Sequence, residues 1–215
     1  MAAKKTKKAP TRRTKTVVAD PGVAAPEQRE LKAFYDGGGQ MPDFSYARFY
    51  WAGGDGPRES LLPRLAKKRQ PVGAEADGDT AARVEALPTP DAHQEYADPD
   101  FLMRRYEETL PQDEVTAFAQ VTLRFGPNIL NVHYPFEVAR QWLREFYVVG
   151  RGVPVIAILH APYLAGSDNP AHVHGIVLPR RLTRFGWTAM ERNLASDLGH
   201  REAFESWSEF KASRL

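Results

Sequence analysis

The order of strand-like and helix-like segments in the last hundred residues most strongly limits the fold of this chain. Short runs rich in β-branched residues alternate with amphipathic helical runs. In chain order they are a strand over 117–125, a helix from Pro135 to Gly150, strands over 153–159 and 172–178, and helices around 187–198 and 201–213. This order predicts an α+β fold, with a mainly antiparallel sheet and helices on one face.

The residues before this region differ from it in composition. Within the aromatic part near the N-terminus, 27–35 suits a short helix, 43–51 a strand and 58–69 a second helix. The predicted segments are a disordered basic tail over 1–28, an aromatic segment over 29–70 whose fold the pattern leaves open, an acidic, proline-bearing linker over 71–100, and the α+β domain over 101–215.

The formal net charge of +2 conceals an uneven distribution of charge. Seven of the 29 lysines and arginines, and none of the 27 acidic residues, lie within residues 1–19. A basic, unfolded tail binds polyanions through counterion release, so nucleic acid is a candidate partner and a solubilising tail is the competing interpretation. The candidate nucleic-acid contacts in the tail are Lys4, Lys5, Lys7, Lys8, Arg12 and Arg13.

The absence of cysteine narrows the chemistry. It excludes disulfides, thiolate metal ligands and cysteine nucleophiles, and it fits a reducing compartment. No apolar run approaches the roughly 20 residues that a membrane-spanning helix needs, and the lysine-rich N-terminus has no apolar core of a secretory signal. We therefore expect a cytoplasmic protein without a membrane span.

Three of the six histidines lie within fifteen positions of one another. His160 ends the strand over 153–159, and His172 and His174 open the next strand on one face. If the two strands pair as a long-looped hairpin, the three imidazoles converge and can hold a divalent metal with open positions. Asp168 in the intervening loop could orient a ring, although an ordinary turn residue is the simpler interpretation. A solvated strand end bearing histidines is the alternative to a metal site.

The residues around these histidines resemble the MobA/MobL plasmid mobilisation relaxases. The similar stretches are RQWLREFYVVGRGVPVIAILH, then NPAHVHGIVLPRRL after a polar loop, and the tryptophan-containing ESWSEFKASRL near the C-terminus. Helix, strand and histidine order follow the family over about residues 115–215. The chain has an alanine between the Asn-Pro pair and the first histidine of the His-x-His stretch, where the family has none.

The resemblance implies a relaxase of the His-hydrophobic-His class. Such an enzyme nicks one DNA strand at a transfer origin, and a tyrosine forms a 5′-phosphotyrosyl link while a metal polarises the phosphate. Carried over to this chain, His160, His172 and His174 hold the metal, which is expected to be Mg²⁺ or Mn²⁺. The family context also implies single-stranded or origin DNA and mobilisation accessory proteins as partners.

The resemblance places the nucleophile near the N-terminus, in an alanine-rich stretch. The nearest match here is ARFYWAGG (47–54), which offers Tyr50, and Tyr46 and Tyr35 are the fallbacks. Three arginines after the last strand are candidate DNA-phosphate contacts, with a solvated basic turn as the alternative. They are Arg180, Arg181 and Arg184.

Two other functions remain open at this point. A catalytically degenerate relative would bind DNA or support mobilisation without forming a covalent link. A small metal-dependent phosphodiesterase would use the same three histidines without a tyrosine.

Overall fold

A computed structural model describes residues 27–36, 42–72, 80–126 and 131–214. Its main element is a six-stranded sheet in the order β1-β2-β4-β6-β5-β3, with every neighbouring pair antiparallel. The strands are β1 Glu30–Asp36, β2 Phe44–Ala52, β3 Arg83–Leu87, β4 Thr116–Arg124, β5 Val155–His160 and β6 His172–Val177. The predicted α+β class with an antiparallel sheet is confirmed.

Within the described ranges, the other main elements are four α-helices and a small hairpin. The helices are α1 Leu62–Arg69, α2 Pro99–Thr109, α3 His133–Leu143 and α4 Asp197–Arg214, and the hairpin strands are β7 Arg180–Thr183 and β8 Gly186–Met190. A π-helical segment, Arg144–Val149, continues α3. In the part of the chain that the structure describes, no helix is both long and apolar enough to cross a bilayer.

Helices cover both faces of the sheet, so its central strands are buried on both sides. On β5, Val155, Ala157 and Leu159 belong to one core with α3 and α4, whereas Ile156 and Ile158 belong to a second core with α1 and α2. The alternation of side chains along a strand separates these two sets. The two helices that follow β4 lie on one face, whereas α1 and α2 cover the opposite face, which the prediction of helices on one face did not include.

Close packing of α3 onto β6 holds the histidine strand in place. Gly175 lies directly under Leu143, and a Cβ at this position would meet the Leu143 side chain at 2.7 Å and the Val121 side chain at 2.8 Å. Glycine is therefore required for this approach. On the same face, the Trp142 and Trp207 rings meet edge to face at 5.3 Å and join α3 to α4.

The structure differs from the sequence predictions in three segments. The short helix expected at 27–35 is strand β1, and the helix expected at 187–198 begins with strand β8. In both, backbone pairing with a neighbouring strand outweighs the local helical pattern. The tail over 1–28 falls almost entirely outside the described residues.

The linker predicted over 71–100 is the third difference. Residues 83–87 form β3 at the sheet edge, and α2 begins at Pro99. Charge misled the prediction, because Glu85 is paired with Arg83 and Arg140 instead of being solvated. Charged side chains are common on edge strands, where they discourage further pairing.

Candidate metal centre

The pairing of β5 with β6 brings the three histidines together. His160 and His172 are direct cross-strand partners, and His174 lies two residues farther along β6 on the same face. The ring centroids are 4.7 to 5.0 Å apart, and one nitrogen from each ring lies within 4.8 Å of the others. The predicted convergence of the imidazoles is confirmed, and occupation by a metal stays a prediction.

Backbone carbonyls fix the orientation of two of the rings. His160 donates its Nε2–H to the Lys68 carbonyl at 2.7 Å, and His172 donates its Nδ1–H to the Pro170 carbonyl at 3.0 Å. A carbonyl only accepts, so the remaining nitrogen of each neutral ring carries a lone pair. These two nitrogens, Nδ1 of His160 and Nε2 of His172, face each other at 3.2 Å. A cation between them would satisfy both lone pairs.

The third ring is fixed from β4. Thr122 lies directly across from His174, and its hydroxyl oxygen is 2.9 Å from Nδ1 of that ring. This leaves Nε2 of His174 as the nitrogen open to a ligand. In the described residues the ring partners outside the triad are two carbonyls, the Thr122 hydroxyl and the Gln120 amide, and Asp168 is not among them.

Burial keeps all three rings neutral near pH 7. Desolvation lowers the pKa of His160 to about 4, lowers the pKa of His172, and holds the pKa of His174 well below its usual value. The Lys68 ammonium adds to the shift at each ring. Neutral imidazoles are the ligand form of histidine, so the donor set suits a divalent metal.

The lowered pKa of His160 predicts a pH-dependent stability for the metal-free protein. An unfolded histidine binds its proton near pH 6.5, whereas folded His160 does so only near a pKa of about 4. Between these values the unfolded chain binds more protons, so the free energy of unfolding should fall as the pH is lowered from about 6.5 to about 4. Urea unfolding across this range measures the effect. His160→Gln should reduce the slope, and an unchanged slope would contradict the prediction.

An open cleft lies beside the histidines, between α1 and the ends of β1, β2 and β4. His172 and His174 line it together with two cations, Lys68 and Arg124, and with Tyr35. Residues Gln120, Thr122 and Arg124 of β4 point to this face, while the residues between them point to the opposite core. That polar alternation within AFAQVTLRF is the signal by which sequence reasoning could have found the cleft wall.

The structure does not bring Tyr50 to the histidines. On β2, Ser45 pairs with Thr122, which in turn pairs with His174. Tyr50 lies five residues farther along β2 and pairs with Thr116. Five residues of strand are about 16 Å. Tyr50 also lines a hollow with Ala195 and Asp197, next to the start of α4 on the opposite face of the sheet. The assignment of Tyr50 as nucleophile is therefore corrected on geometric grounds.

The two fallback tyrosines differ in access. Tyr46 is fully buried and donates its hydroxyl to the Leu194 carbonyl on the α3–α4 side, and burial raises its pKa. Tyr35 is 66% exposed. Tyr35 pairs with Ala47 on β2, and Ala47 pairs with Gln120 on β4. Paired residues point to the same face of a sheet, so the Tyr35 ring lies on the histidine face, where the small Ala47 side chain separates it from Gln120.

The three arginines proposed from sequence lie elsewhere. Arg180 donates to the Thr109 carbonyl at the end of α2, Arg181 pairs with Glu191, and Arg184 lies near Asp91. All three follow the end of β6 that is distant from the histidines. The cations at the cleft are instead Lys68 and Arg124, and the tail cations Lys4 to Arg13 lie outside the described residues.

Comparison with known proteins supports the fold. One solved structure, from work on the molecular basis of vancomycin resistance transfer in Staphylococcus aureus, is a relaxase-type protein that aligns with a TM-score of 0.51 and 14% identity. The alignment covers 62% of this chain and 69% of that one. No protein-family model and no curated protein matches the sequence. The chain therefore has a relaxase-like fold, with a buried histidine triad that could bind a metal ion.

Proposed function

We propose that this protein nicks single-stranded DNA at a transfer origin in a metal-dependent reaction and forms a covalent link through Tyr35. The observation that carries the proposal is the pair of ring nitrogens of His160 and His172 that face each other at 3.2 Å. Both present lone pairs to the same point, and an exposed tyrosine lines the adjoining cleft. The relaxase-like fold of the solved neighbour agrees with this assignment.

His160, His172 and His174 would hold the divalent ion. A bound ion of this kind neutralises charge on phosphoryl oxygens. Imidazole ligands favour transition metals over Mg²⁺, which prefers oxygen, so Mn²⁺ fits this donor set better than Mg²⁺.

The tyrosine performs the covalent step. The Tyr35 hydroxyl oxygen attacks the phosphorus, a Tyr–O–P bond forms, and the bond from phosphorus to the 3′ oxygen breaks. The Tyr35 phenol loses its proton to solvent, and the leaving 3′ oxygen takes up a proton from solvent, so the numbers of atoms and charges are conserved. The phosphodiester bond energy is kept in the link and allows later rejoining.

The cations of the cleft would bind the DNA backbone. Lys68 is at the end of α1, whose last turn also contains Lys67 and Arg69, and Arg124 ends β4 on the other side of the histidines. Burial, together with the charges of Arg64 and Lys67, lowers the pKa of Lys68. A phosphate between Lys68 and Arg124 would offset the positive charge around Lys68.

Removing these cations should weaken DNA binding. Lys68→Ala and Arg124→Ala are each expected to lower the affinity for a single-stranded oligonucleotide about 10-fold at low salt and to reduce the salt slope by about one. Arg184→Ala is the matched control, because this exposed arginine lies beyond the far end of β6. Fluorescence anisotropy at several salt concentrations measures the effect. Equal losses in all three variants would contradict a role for the cleft.

A covalent-adduct assay tests the proposed function. Purified full-length protein with Mn²⁺ and single-stranded origin oligonucleotides should cleave one strand and yield a protein–DNA species that survives denaturation. Cleavage without an adduct would favour the small phosphodiesterase instead. Tight DNA binding with neither product, across a set of candidate transfer-origin sequences, would indicate the degenerate binding protein.

The remaining partners stay proposals. The basic tail from Lys4 to Arg13 would add salt-dependent DNA affinity, and mobilisation accessory proteins would complete the assembly. Deletion of residues 1–16 should lower DNA affinity without altering metal binding, which separates the tail from the histidine centre.

A further inference from the structure

Two buried polar side chains on β4 lie against the His174 ring. Gln120 and Thr122 are only 6% and 5% exposed. Nε2 of Gln120 lies 3.4 Å from Oγ1 of Thr122 and 3.5 Å from Nδ1 of His174. The other amide atom, Oε1, is buried without a hydrogen-bond partner among the described residues. Because a buried polar atom without a hydrogen-bond partner is unfavourable, this arrangement needs an explanation.

The orientation of His174 supplies the first part of the explanation. Thr122 occupies Nδ1 of the ring, so a metal can bind only at Nε2. Nε2 has a free lone pair in the neutral ring only if the proton is on Nδ1. In this tautomer Nδ1–H donates and the Thr122 oxygen accepts, at 2.9 Å.

The hydroxyl proton of Thr122 supplies the second part. Once the Thr122 oxygen accepts from His174, its own proton needs an acceptor, and the Gln120 amide is the adjacent polar group. The amide serves as acceptor if its oxygen, and not its nitrogen, faces Thr122. Amide oxygen and nitrogen are nearly equal in size, so the hydrogen-bond network decides which is where. The reversed amide gives the hydroxyl proton an acceptor, and the amino group with its two N–H donors then takes the buried position that Oε1 occupied.

We infer that Thr122 and Gln120 are positioning residues for the metal centre. A directed chain of hydrogen bonds runs from Nδ1–H of His174 to the Thr122 hydroxyl, and from this hydroxyl to the Gln120 amide oxygen. The chain fixes the tautomer and the plane of the ring, and it presents Nε2 to the position shared with His160 and His172. The metal-binding consequence rests on the proposed function, whereas the tautomer belongs to the metal-free protein.

Metal titration tests the role of the hydroxyl. Thr122→Val keeps the shape of the side chain and removes the acceptor, so the Mn²⁺ affinity measured by calorimetry should fall about 10- to 100-fold. Thr122→Ser restores the hydroxyl and should bind Mn²⁺ within about 3-fold of the original chain. Equal Mn²⁺ affinity in the valine variant and the original chain, with both folded by circular dichroism, would overturn the inference.

The orientation of the amide has its own test. Gln120→Met removes the acceptor and should weaken Mn²⁺ binding about 3- to 10-fold, whereas Gln120→Glu retains an oxygen facing Thr122 and should bind at least as well as the original chain. A glutamate variant that binds more weakly than the methionine variant would show that the amide nitrogen faces Thr122.

The ¹⁵N NMR spectrum of histidine-labelled, metal-free protein separates this inference from the proposed function. The chain of hydrogen bonds predicts a His174 with the proton on Nδ1 and a lone pair on Nε2, and this state should be lost in Thr122→Val. A proton on Nε2 in the original chain would overturn the inference, whether or not the protein cleaves DNA. Absence of Mn²⁺ binding together with the predicted tautomer would instead refute the proposed metal centre.

Discussion

Replacing Tyr35 with phenylalanine should abolish the covalent protein–DNA adduct, lowering its yield at least about 1,000-fold. The Tyr35 side chain is exposed at the end of β1 and lines the same cleft as His172 and His174. Removal of the hydroxyl removes the attacking atom and leaves the ring, which is edge-on to Phe49. Metal affinity and DNA affinity should therefore remain close to those of the original chain.

Tyr50→Phe is the matched control for this experiment. Tyr50 is 40% exposed and also lies in the β1–β2 pair, but it faces the hollow beside the start of α4. Adduct formation should therefore survive its replacement. Loss of the adduct in Tyr50→Phe with retention in Tyr35→Phe would reverse the assignment of the nucleophile. Mass spectrometry of the nuclease-trimmed adduct gives the same answer independently.

Replacing His172 with alanine should have the second large effect. His172 faces His160 across the strand pair, so its loss removes one of the two nitrogens that meet at 3.2 Å. Mn²⁺ affinity should fall by at least about 100-fold, more than for a residue that only orients a ligand. DNA nicking should fall with it.

His93→Ala is the control for metal binding. This histidine is largely exposed, contacts Glu95 and is outside the triad. Its replacement should leave Mn²⁺ affinity unchanged in calorimetry, and both variants should remain folded by circular dichroism. Unchanged affinity in His172→Ala would contradict the assignment of the metal ligands.

Much of the sheet could be predicted from sequence because its central strands have unambiguous patterns. The continuous apolar run before His160 predicts a strand buried on both faces, as β5 is. The two edge strands β1 and β3 lack such a pattern, since each is covered on fewer sides and carries charge. Their pairing depends on partners that are distant in sequence, which local periodicity does not report.

The candidate site also has a part that the sequence predicts and a part that it does not. The histidines lie at adjoining ends of two neighbouring strands, so their convergence follows from hairpin pairing alone. The position of Tyr35 depends on the pairing of β1 at the sheet edge, where two strands separate it from β6, and that of Lys68 depends on how α1 packs over the sheet. Neither placement is local. The resemblance of ARFYWAGG to the alanine-rich stretch of the relaxase family therefore pointed to Tyr50, which lies on the face of the sheet opposite the histidines.

Anomalous diffraction from crystals soaked in Mn²⁺ tests the metal centre most directly. We expect one strong peak between the three rings, about 2.1 Å from Nδ1 of His160, Nε2 of His172 and Nε2 of His174. Lys68 and Pro170 should keep their hydrogen bonds to the rings. Absence of a peak at these rings under saturating Mn²⁺, or a peak only at surface carboxylates, would contradict a metal centre built from the three histidines.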